Sequence, residues 1–260
     1  MASPTTPANK PRRFLIPRSR RLTCDVLHFH RHVPLCPHVR LISLGTLDEL
    51  RKPPTGRISW AALFLKAYAL MARDLPAFRQ SWMRGLIPTV YEHPTSVGML
   101  AVQREYQGEP WLFWGRIVAP ENLPLPEIQK LIDRYQTAPV DQIFKRFLWL
   151  SLFPTLIRRL FWWCNMQWFG PIRAKRIGTF FLSSLAGQGA EIPCPPSIQT
   201  GVLSYGPLNP QGQSRVTIAY DHRLMDGGMA AEALARLETA LRGPLTEELQ
   251  QLAQTSIAAN

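Results

Sequence analysis

A histidine stands between two carboxylates in a short polar stretch, residues 221–228 with the sequence DHRLMDGG. The pKa of a free imidazole is near ~6.5, so a neutral His222 can accept a proton at neutral pH. Asp226 follows four residues later, at the expected start of a helix, where a carboxylate caps free N–H groups. Gly227 and Gly228 permit a tight turn and a close approach of another backbone or a ligand. The spacing fits a general base on a rigid turn, and equally a surface histidine followed by a helix cap.

The elements on either side of this stretch would hold it in place. Val216, Ile218 and Tyr220 alternate with more polar residues, which predicts a half-buried strand. From Met229 to Leu241 the apolar residues recur at intervals of three and four, which predicts an amphipathic helix. His222 is therefore expected on a strand-to-helix turn, where its backbone is fixed and its ring can reach a cleft.

The string YDHRLMDGG, residues 220–228, resembles the active-site signature of the 2-oxo-acid dehydrogenase dihydrolipoamide acyltransferases. Their catalytic domain shares its fold with chloramphenicol acetyltransferase. The resemblance continues in order from about residue 12 to about residue 243, through PHVRL at 37–41, YEHPTSVGMLAV at 91–102 and GTFFLSSLAG at 178–187. It implies an α/β fold, a chloramphenicol acetyltransferase-like two-layer sandwich of mixed β-sheet with helices.

The same resemblance implies a division of the chain into a flexible basic arm, a catalytic domain and a tail. We expect the arm at 1–12, the acyltransferase catalytic domain at 13–243 with an apolar helical insert at 141–169, and the C-terminal tail at 244–260. No lipoyl domain, subunit-binding domain or long linker is recognisable in the 260 residues, so a stand-alone member is expected.

The resemblance also implies the roles of individual side chains. His222 would act as the general base, and Ser183, with Ser184 as the alternative, would donate a hydrogen bond to the oxyanion. Asp226 would hold the turn, either as a helix cap or by pairing with Arg223 or an N-terminal arginine.

Ser184, Arg223 and Gly227 are the candidate substrate contacts. In that family the acyl group passes directly from thioester to acceptor. The active site lies between subunits of a trimer, with the histidine from one subunit and the serine from its neighbour.

Composition bears on the partners. The net charge of +12 and the pI near 10.1 favour anionic partners and suit the phosphates of coenzyme A, the expected acyl carrier. The family has a Pro-Arg-Gly-Leu type loop where this chain has REYQG at 104–108, so the acceptor stays open: a thiol, hydroxyl or amine on a small molecule or a lipid. A catalytically silent trimeric scaffold, or a membrane-associated binding protein of the same fold, is the alternative function.

Other function classes are disfavoured. No phosphate-binding loop of the G-x-x-x-x-G-K-S/T type is present, and the basic clusters lack the aromatic interleaving of a nucleic-acid module. Four separated cysteines, without a signal peptide or a transmembrane stretch, favour a cytoplasmic location.

Two stretches are ambiguous. Residues 141–169 are rich in Trp, Phe and Leu, and after Asp141 they contain basic residues but no acid. They fit a buried helical hairpin bent at Pro154, an amphipathic helix on an anionic membrane through 144–169, or a lid for a long acyl chain. Residues 22–45 are predicted to be extended, so that His28, His30 and His32 share one strand face. No matching carboxylate or cysteine accompanies these histidines, so no metal site is expected.

Overall fold

The structure is a computed structural model that describes residues 12–52, 57–84, 87–168 and 170–258. The strands in these ranges are β1 (Leu35–Ser43), β2 (Gln80–Arg84), β3 (Pro88–Glu92), β4 (Val97–Tyr106), β5 (Glu109–Val118), β6 (Phe180–Leu182), β7 (Gly201–Tyr205) and β8 (Gln213–Asp221). The helices are α1 (Arg18–His30), α2 (Gly45–Leu50), α3 (Trp60–Asp74), α4 (Leu125–Thr137), α5 (Val140–Ile143), α6 (Lys145–Leu150), α7 (Thr155–Gln167), α8 (Gly170–Ile177), α9 (Gly227–Arg242) and α10 (Pro244–Ala258).

Six of the strands form one mixed sheet, in the order β1-β8-β7-β6-β4-β5. The short strand β6 lies parallel to both of its neighbours, β4 and β7, and the other pairs are antiparallel. Strands β2 and β3 form a separate hairpin. The expected α/β fold with a mixed sheet and helices is confirmed.

Local sequence signals explain several element boundaries. The Ser59 hydroxyl accepts a hydrogen bond from Ala62 N and so caps α3, and Pro76 follows the end of that helix. Between β4 and β5 the chain turns through Gln107 and Gly108, which have φ values of 54° and 74°. The positive φ of Gly108 explains why a glycine stands at this turn.

The main core lies between one face of the sheet and helices α3, α4 and α9. The alternation of strand residues sends Trp111, Phe113 and Ile117 of β5 into this core. Trp114 points to the opposite face, where its ring lies 5.7 Å from Trp162 of α7. A smaller group of helices therefore covers part of the second face of the sheet.

The prediction that residues 22–45 are extended was wrong for the first part of this stretch, because Arg18–His30 form α1. Leu22 and Val26 are buried one helical turn apart, and Asp25 is fully buried beside Arg158 of α7, with a 2.6 Å hydrogen bond from Arg158 Nε to Asp25 Oδ2. These long-range contacts favour the helix.

The three histidines of this stretch consequently do not share a strand face. The described residues contain no group of three histidines, cysteines or acidic residues that could hold a metal ion.

Within the apolar segment, α6 and α7 meet at a bend. Helix α6 ends at Leu150, and Pro154 is the N-cap residue of α7. Leu148, Trp162 and Met166 are buried against the rest of the protein, whereas many other apolar side chains of the segment face outward. Among the described helices, none has the length and apolarity needed to cross a membrane.

The expected C-terminal tail contains α10. Leu245 and Leu249 of this helix are buried in the main core, and the Glu248 carboxylate accepts a 2.5 Å hydrogen bond from Lys66 Nζ of α3. Residues 244–258 are therefore integral to the fold. The basic arm predicted at 1–12 lies, except for its last residue, outside the described residues.

Candidate active site

His222 follows directly after β8, and its side chain is exposed. Its backbone N–H donates a 3.0 Å hydrogen bond to the Pro34 carbonyl, and its ring centroid lies 5.5 Å from that of Tyr220. The ring nitrogens make no hydrogen bond to any residue that the structure describes. The backbone of His222 is therefore fixed while its imidazole is open to a proton-bearing ligand.

Asp226 performs the capping role that the sequence suggested. Its Oδ1 atom accepts a 3.2 Å hydrogen bond from Met229 N at the first turn of α9. Behind it, a Cβ placed on Gly227 would lie 3.0 Å from His38 Nε2, so a side chain at this position would displace the histidine ring. Gly227 thus lets the turn pack against β1 and keeps the end of β8 close to the start of α9.

Arg223 pairs with Asp221, the residue immediately before His222, and not with Asp226. Its Nε and Nη2 atoms donate to the two carboxylate oxygens of Asp221 at 2.8 and 2.5 Å. Its guanidinium carbon also lies 5.3 Å from the ring centroid of Trp82 in β2. No arginine within the described ranges pairs with Asp226. Asp221 is therefore the carboxylate that anchors Arg223, and its place two residues before an arginine was the available signal.

Arg173 of α8 also holds the region around Arg223 and Trp82 in place. Its guanidinium is buried and donates hydrogen bonds to the carbonyls of Trp82 at 3.1 Å, Met166 at 2.9 Å and Ile198 at 3.2 Å. Burial lowers the pKa of Arg173 to about 10, and the nearby Asp221 carboxylate opposes that change. Sequence reasoning missed this residue, because the basic run around it resembles a solvated surface.

Ser183 and Ser184 follow β6 and differ in what their hydroxyls contact. The Ser184 hydroxyl donates to the Tyr205 carbonyl at 2.7 Å and accepts from Ala186 N at 3.1 Å, so it is committed to the turn. Ser183 is half-buried and held through its backbone N–H, which donates to the Leu203 carbonyl at 3.1 Å. The Ser183 hydroxyl has no hydrogen-bond partner among the described residues, so of the two it is the one available to a ligand.

The sheet register keeps Ser183 far from His222 within one chain. Leu182 of β6 is level with Leu203 of β7, which is level with Ile218 of β8. Ser183 continues beyond Leu182 in one direction, and His222 lies four residues beyond Ile218 in the other. At a rise of about 3.3 Å per residue, their backbones are on the order of 15 Å apart along the strands alone. One chain therefore cannot bring both side chains to the same reacting carbonyl.

A cavity of about 410 Å³ opens beside the turn that begins at Ser184. Ala186, Gly187 and Tyr205 line it together with Asp48, Arg51 and Trp60. Arg51 donates to Asp48 Oδ1 at 2.9 and 2.6 Å, and its guanidinium carbon lies 4.6 Å from the ring centroid of Trp60. The cavity thus combines a paired cation with aromatic surface close to the serine pair.

Solved structures with this fold are known. The chain is similar to the dihydrolipoamide acetyltransferase of Azotobacter vinelandii (TM-score 0.65, 17% identity, 95% of this chain and 100% of that chain). It is equally similar to the cubic core of the pyruvate dehydrogenase multienzyme complex (TM-score 0.66, 16% identity, 95% and 100%). Chloramphenicol acetyltransferase is more distant (TM-score 0.50, 14% identity, 84% and 94%).

In sequence, no protein-family profile matches the chain, and no curated protein matches it either. The chain therefore has the fold of these acetyltransferase catalytic domains, and at such identities the similarity concerns the fold alone.

Proposed function

We propose that this chain, built on the fold shared by dihydrolipoamide acetyltransferase cores and chloramphenicol acetyltransferase, is itself an acyltransferase. It moves an acyl group from the thioester of an acyl-coenzyme A directly to a thiol, hydroxyl or amine acceptor. The observation that carries the proposal is His222: an exposed imidazole with open ring nitrogens, on a backbone fixed between β8 and α9. Such a group can act as a general base at neutral pH.

The reaction proceeds through a tetrahedral intermediate without an acyl-enzyme. The imidazole of His222 takes the proton of the acceptor as its heteroatom attacks the thioester carbonyl. The carbonyl oxygen becomes an oxyanion, which the Ser183 hydroxyl stabilises by donating a hydrogen bond. The intermediate collapses, the carbon–sulfur bond breaks, and the departing coenzyme A thiolate takes the proton back from His222. Proton and acyl group thus both end on products.

The catalytic unit is a homotrimer in which His222 of one copy meets Ser183 of the next. The separation of these residues within one chain supports this arrangement, because a second copy can supply the missing partner. Asp226 acts by fixing the turn, since its carboxylate caps α9.

The roles are supported by the Azotobacter acetyltransferase, whose catalytic mechanism was studied at a serine, a histidine and an asparagine. In that enzyme the histidine and the asparagine are four residues apart, which is the spacing of His222 and Asp226. This chain carries a carboxylate where that enzyme carries an amide. Both groups present an oxygen that can accept from a helix N-terminus.

Coenzyme A is the proposed acyl carrier because of charge. The cavity beside Ser184 is lined by Arg57, which suits a phosphate, whereas Arg51 is already paired with Asp48. The acceptor is proposed only as a class, a small molecule or a lipid that bears a thiol, hydroxyl or amine.

The test is release of free coenzyme A thiol from a panel of acyl-coenzyme A esters, from acetyl to palmitoyl, with a crude small-molecule extract as the source of acceptor. Wild type should release thiol, and His222→Ala should lower the rate by about 10²–10⁴-fold, since a general base contributes that much. His28→Ala is the control, because it removes another imidazole, in α1, and leaves β8 and its turn unchanged.

The variants are compared after circular dichroism and sedimentation show equal fold and assembly. Release that is absent from wild type, or unchanged in His222→Ala, would contradict the proposal. The catalytically silent scaffold or binding protein would then be the remaining function.

A further inference from the structure

An exposed apolar surface is formed by the segment before α1 and by α6 and α7; we call it the apolar surface. From α6, α7 and the residues next to them it contains Trp149, Leu152, Leu156, Leu160, Trp163 and Trp168. From the segment before α1 it contains residues 14–16, Phe-Leu-Ile. Leu15 and Leu156 are 92% and 83% exposed, which places whole side chains in solvent. A contiguous patch of this kind indicates a binding surface.

The two parts of the apolar surface are fastened to each other. Arg18, two residues after Ile16, donates through Nε to Ser151 Oγ at 2.7 Å and through Nη2 to the Leu148 carbonyl at 2.8 Å. Arg21 donates to the Ser151 carbonyl at 3.2 Å. These bonds bring the start of α1 against the bend between α6 and α7. The exposed apolar residues of both segments therefore belong to one region of the molecule.

Helix α7 has its polarity reversed relative to an ordinary surface helix. Arg158 and Asn165 are buried, together with Trp162 and Met166, on the side that faces the protein. Leu156, Leu160 and Trp163 recur at intervals of four and three on the outward side, where polar residues normally stand. Helix α7 thus buries Arg158 in its ion pair with Asp25 and exposes apolar side chains to solvent.

The two chain segments that form the apolar surface are basic, although the Glu109 carboxylate accepts a 3.4 Å hydrogen bond from Ser19 N at the start of α1. Residues 142–168 contain four basic residues and no acid, and residues 12–24 contain five arginines and no acid. Lys145, Arg146, Arg12, Arg13 and Arg20 are exposed. Asp25, the first acid after these arginines, is fully buried and paired with Arg158, so it offers no negative charge to a ligand.

We propose that the apolar surface binds the face of an anionic phospholipid bilayer. Leucine and tryptophan side chains enter the boundary between headgroups and acyl chains, and the exposed lysine and arginines contact headgroup phosphates. Helix α7 is 13 residues long, about 20 Å, and lies in the plane of the membrane. A second copy of this chain is a poorer occupant of this surface, because its exposed lysine and arginines would face those of its partner.

The test is flotation of the full chain with two kinds of vesicle. One is phosphatidylcholine alone, and the other contains about 30% phosphatidylglycerol, enough anionic lipid to attract a basic surface. Wild type should partition at least about tenfold more strongly to the anionic vesicles. Salt at about 0.5 M should weaken that partition, because the Debye length falls from about 10 Å at 0.1 M to about 3 Å at 1 M. Leu156→Gln with Leu160→Gln should lower it at least about tenfold, because both side chains are exposed.

Two matched variants sharpen the result. Val90→Gln with Val118→Gln changes two apolar residues outside the apolar surface, 49% and 48% exposed, and should bind as wild type does. Lys145→Glu with Arg146→Glu should reduce binding to anionic vesicles only. His222→Ala should still bind vesicles, which separates this proposal from the proposed reaction.

Three outcomes would overturn the proposal. In the first, wild type stays with the unbound fraction at both compositions. In the second, the two leucine substitutions leave partitioning unchanged. In the third, sedimentation without lipid shows that the leucine substitutions dissociate an assembly, so that a second copy covers the surface.

Discussion

At the scale of single residues, the two serines after β6 have different duties. The Ser184 hydroxyl is bonded on both sides within the turn, whereas the Ser183 hydroxyl has no partner among the described residues. We therefore expect Ser183→Ala to lower kcat by about 10²–10³-fold, the usual loss of one oxyanion donor. The measurement is coenzyme A thiol release at saturating acyl-coenzyme A. Ser184→Ala, the control, should mainly lower the melting temperature; a larger loss of kcat in Ser184→Ala would reverse the assignment.

A second residue-scale prediction concerns His93, which is buried after β3 with Nε2 3.1 Å from Ser81 Oγ. Burial, with Arg173 and Arg79 nearby, lowers the pKa of His93 to about 4. The unfolded chain binds a proton near ~6.5 and the folded chain does not, so stability is complete above pH ~6.5 and is lost as pH falls toward 4. The loss should reach about 2–3 kcal/mol near pH 4.

Urea unfolding of wild type and His93→Gln at several pH values between 7 and 4.5 checks this prediction. The substitution removes the titrating group, so its free energy of unfolding should fall less steeply with acidity than that of wild type. Parallel curves for the two proteins would show that His93 is not the group responsible.

At the scale of elements, a buried ion pair between Asp25 and Arg158 joins α1 to α7. Asp25 is fully buried, Arg158 is 4% exposed, and Arg159 Nε lies 3.6 Å from Asp25 Oδ1. Asp25→Asn should cost about 3–5 kcal/mol, because it leaves buried Arg158 without its counter-charge. Denaturant unfolding measures the cost, and Asp25→Asn with Arg158→Met should recover part of it. A cost below about 1 kcal/mol would mean that the pair contributes little.

The same pair shows where sequence reasoning succeeded and where it failed. Strand β8, its turn and α9 were predicted correctly, because alternation, a capping aspartate and a three-to-four periodicity are all local. Helix α1 was predicted as extended, because alternating histidines obscured Leu22 and Val26. The contact that favours the helix is Arg158, which lies 133 residues away. Tertiary contacts at such distances leave no local signal.

The same distinction between local signals and tertiary contacts applies to the candidate site. The capping role of Asp226 was readable from its position before the helix. The pairing of Arg223 with Asp221 and the buried Arg173 were not, because each depends on how β2 and α8 pack against the end of β8. Local spacing singled out His222 and Asp226 as candidates, and only the fold showed which side chains are in contact.

At the scale of the whole molecule, the register separates His222 from Ser183. If one copy completes the site of the next, inactive His222→Ala and inactive Ser183→Ala chains should complement each other. After random equal mixing by unfolding and refolding, about a quarter of the sites would combine an intact histidine with an intact serine. Thiol release by the mixture should recover to about that fraction of wild type.

Refolding each variant alone provides the control and should restore nothing. A mixture that remains as inactive as its components would show that the two residues do not act across copies.

If the site is shared between copies, the rate of acyl transfer depends on the concentration of the chain. A lone chain would present each half of the site to solvent and complete neither, so turnover would begin only where copies are concentrated enough to associate. In dilute solution, doubling the concentration of the chain would then raise turnover more than twofold. Lowering the amount of protein in a cell would stop the reaction without any change in the sequence.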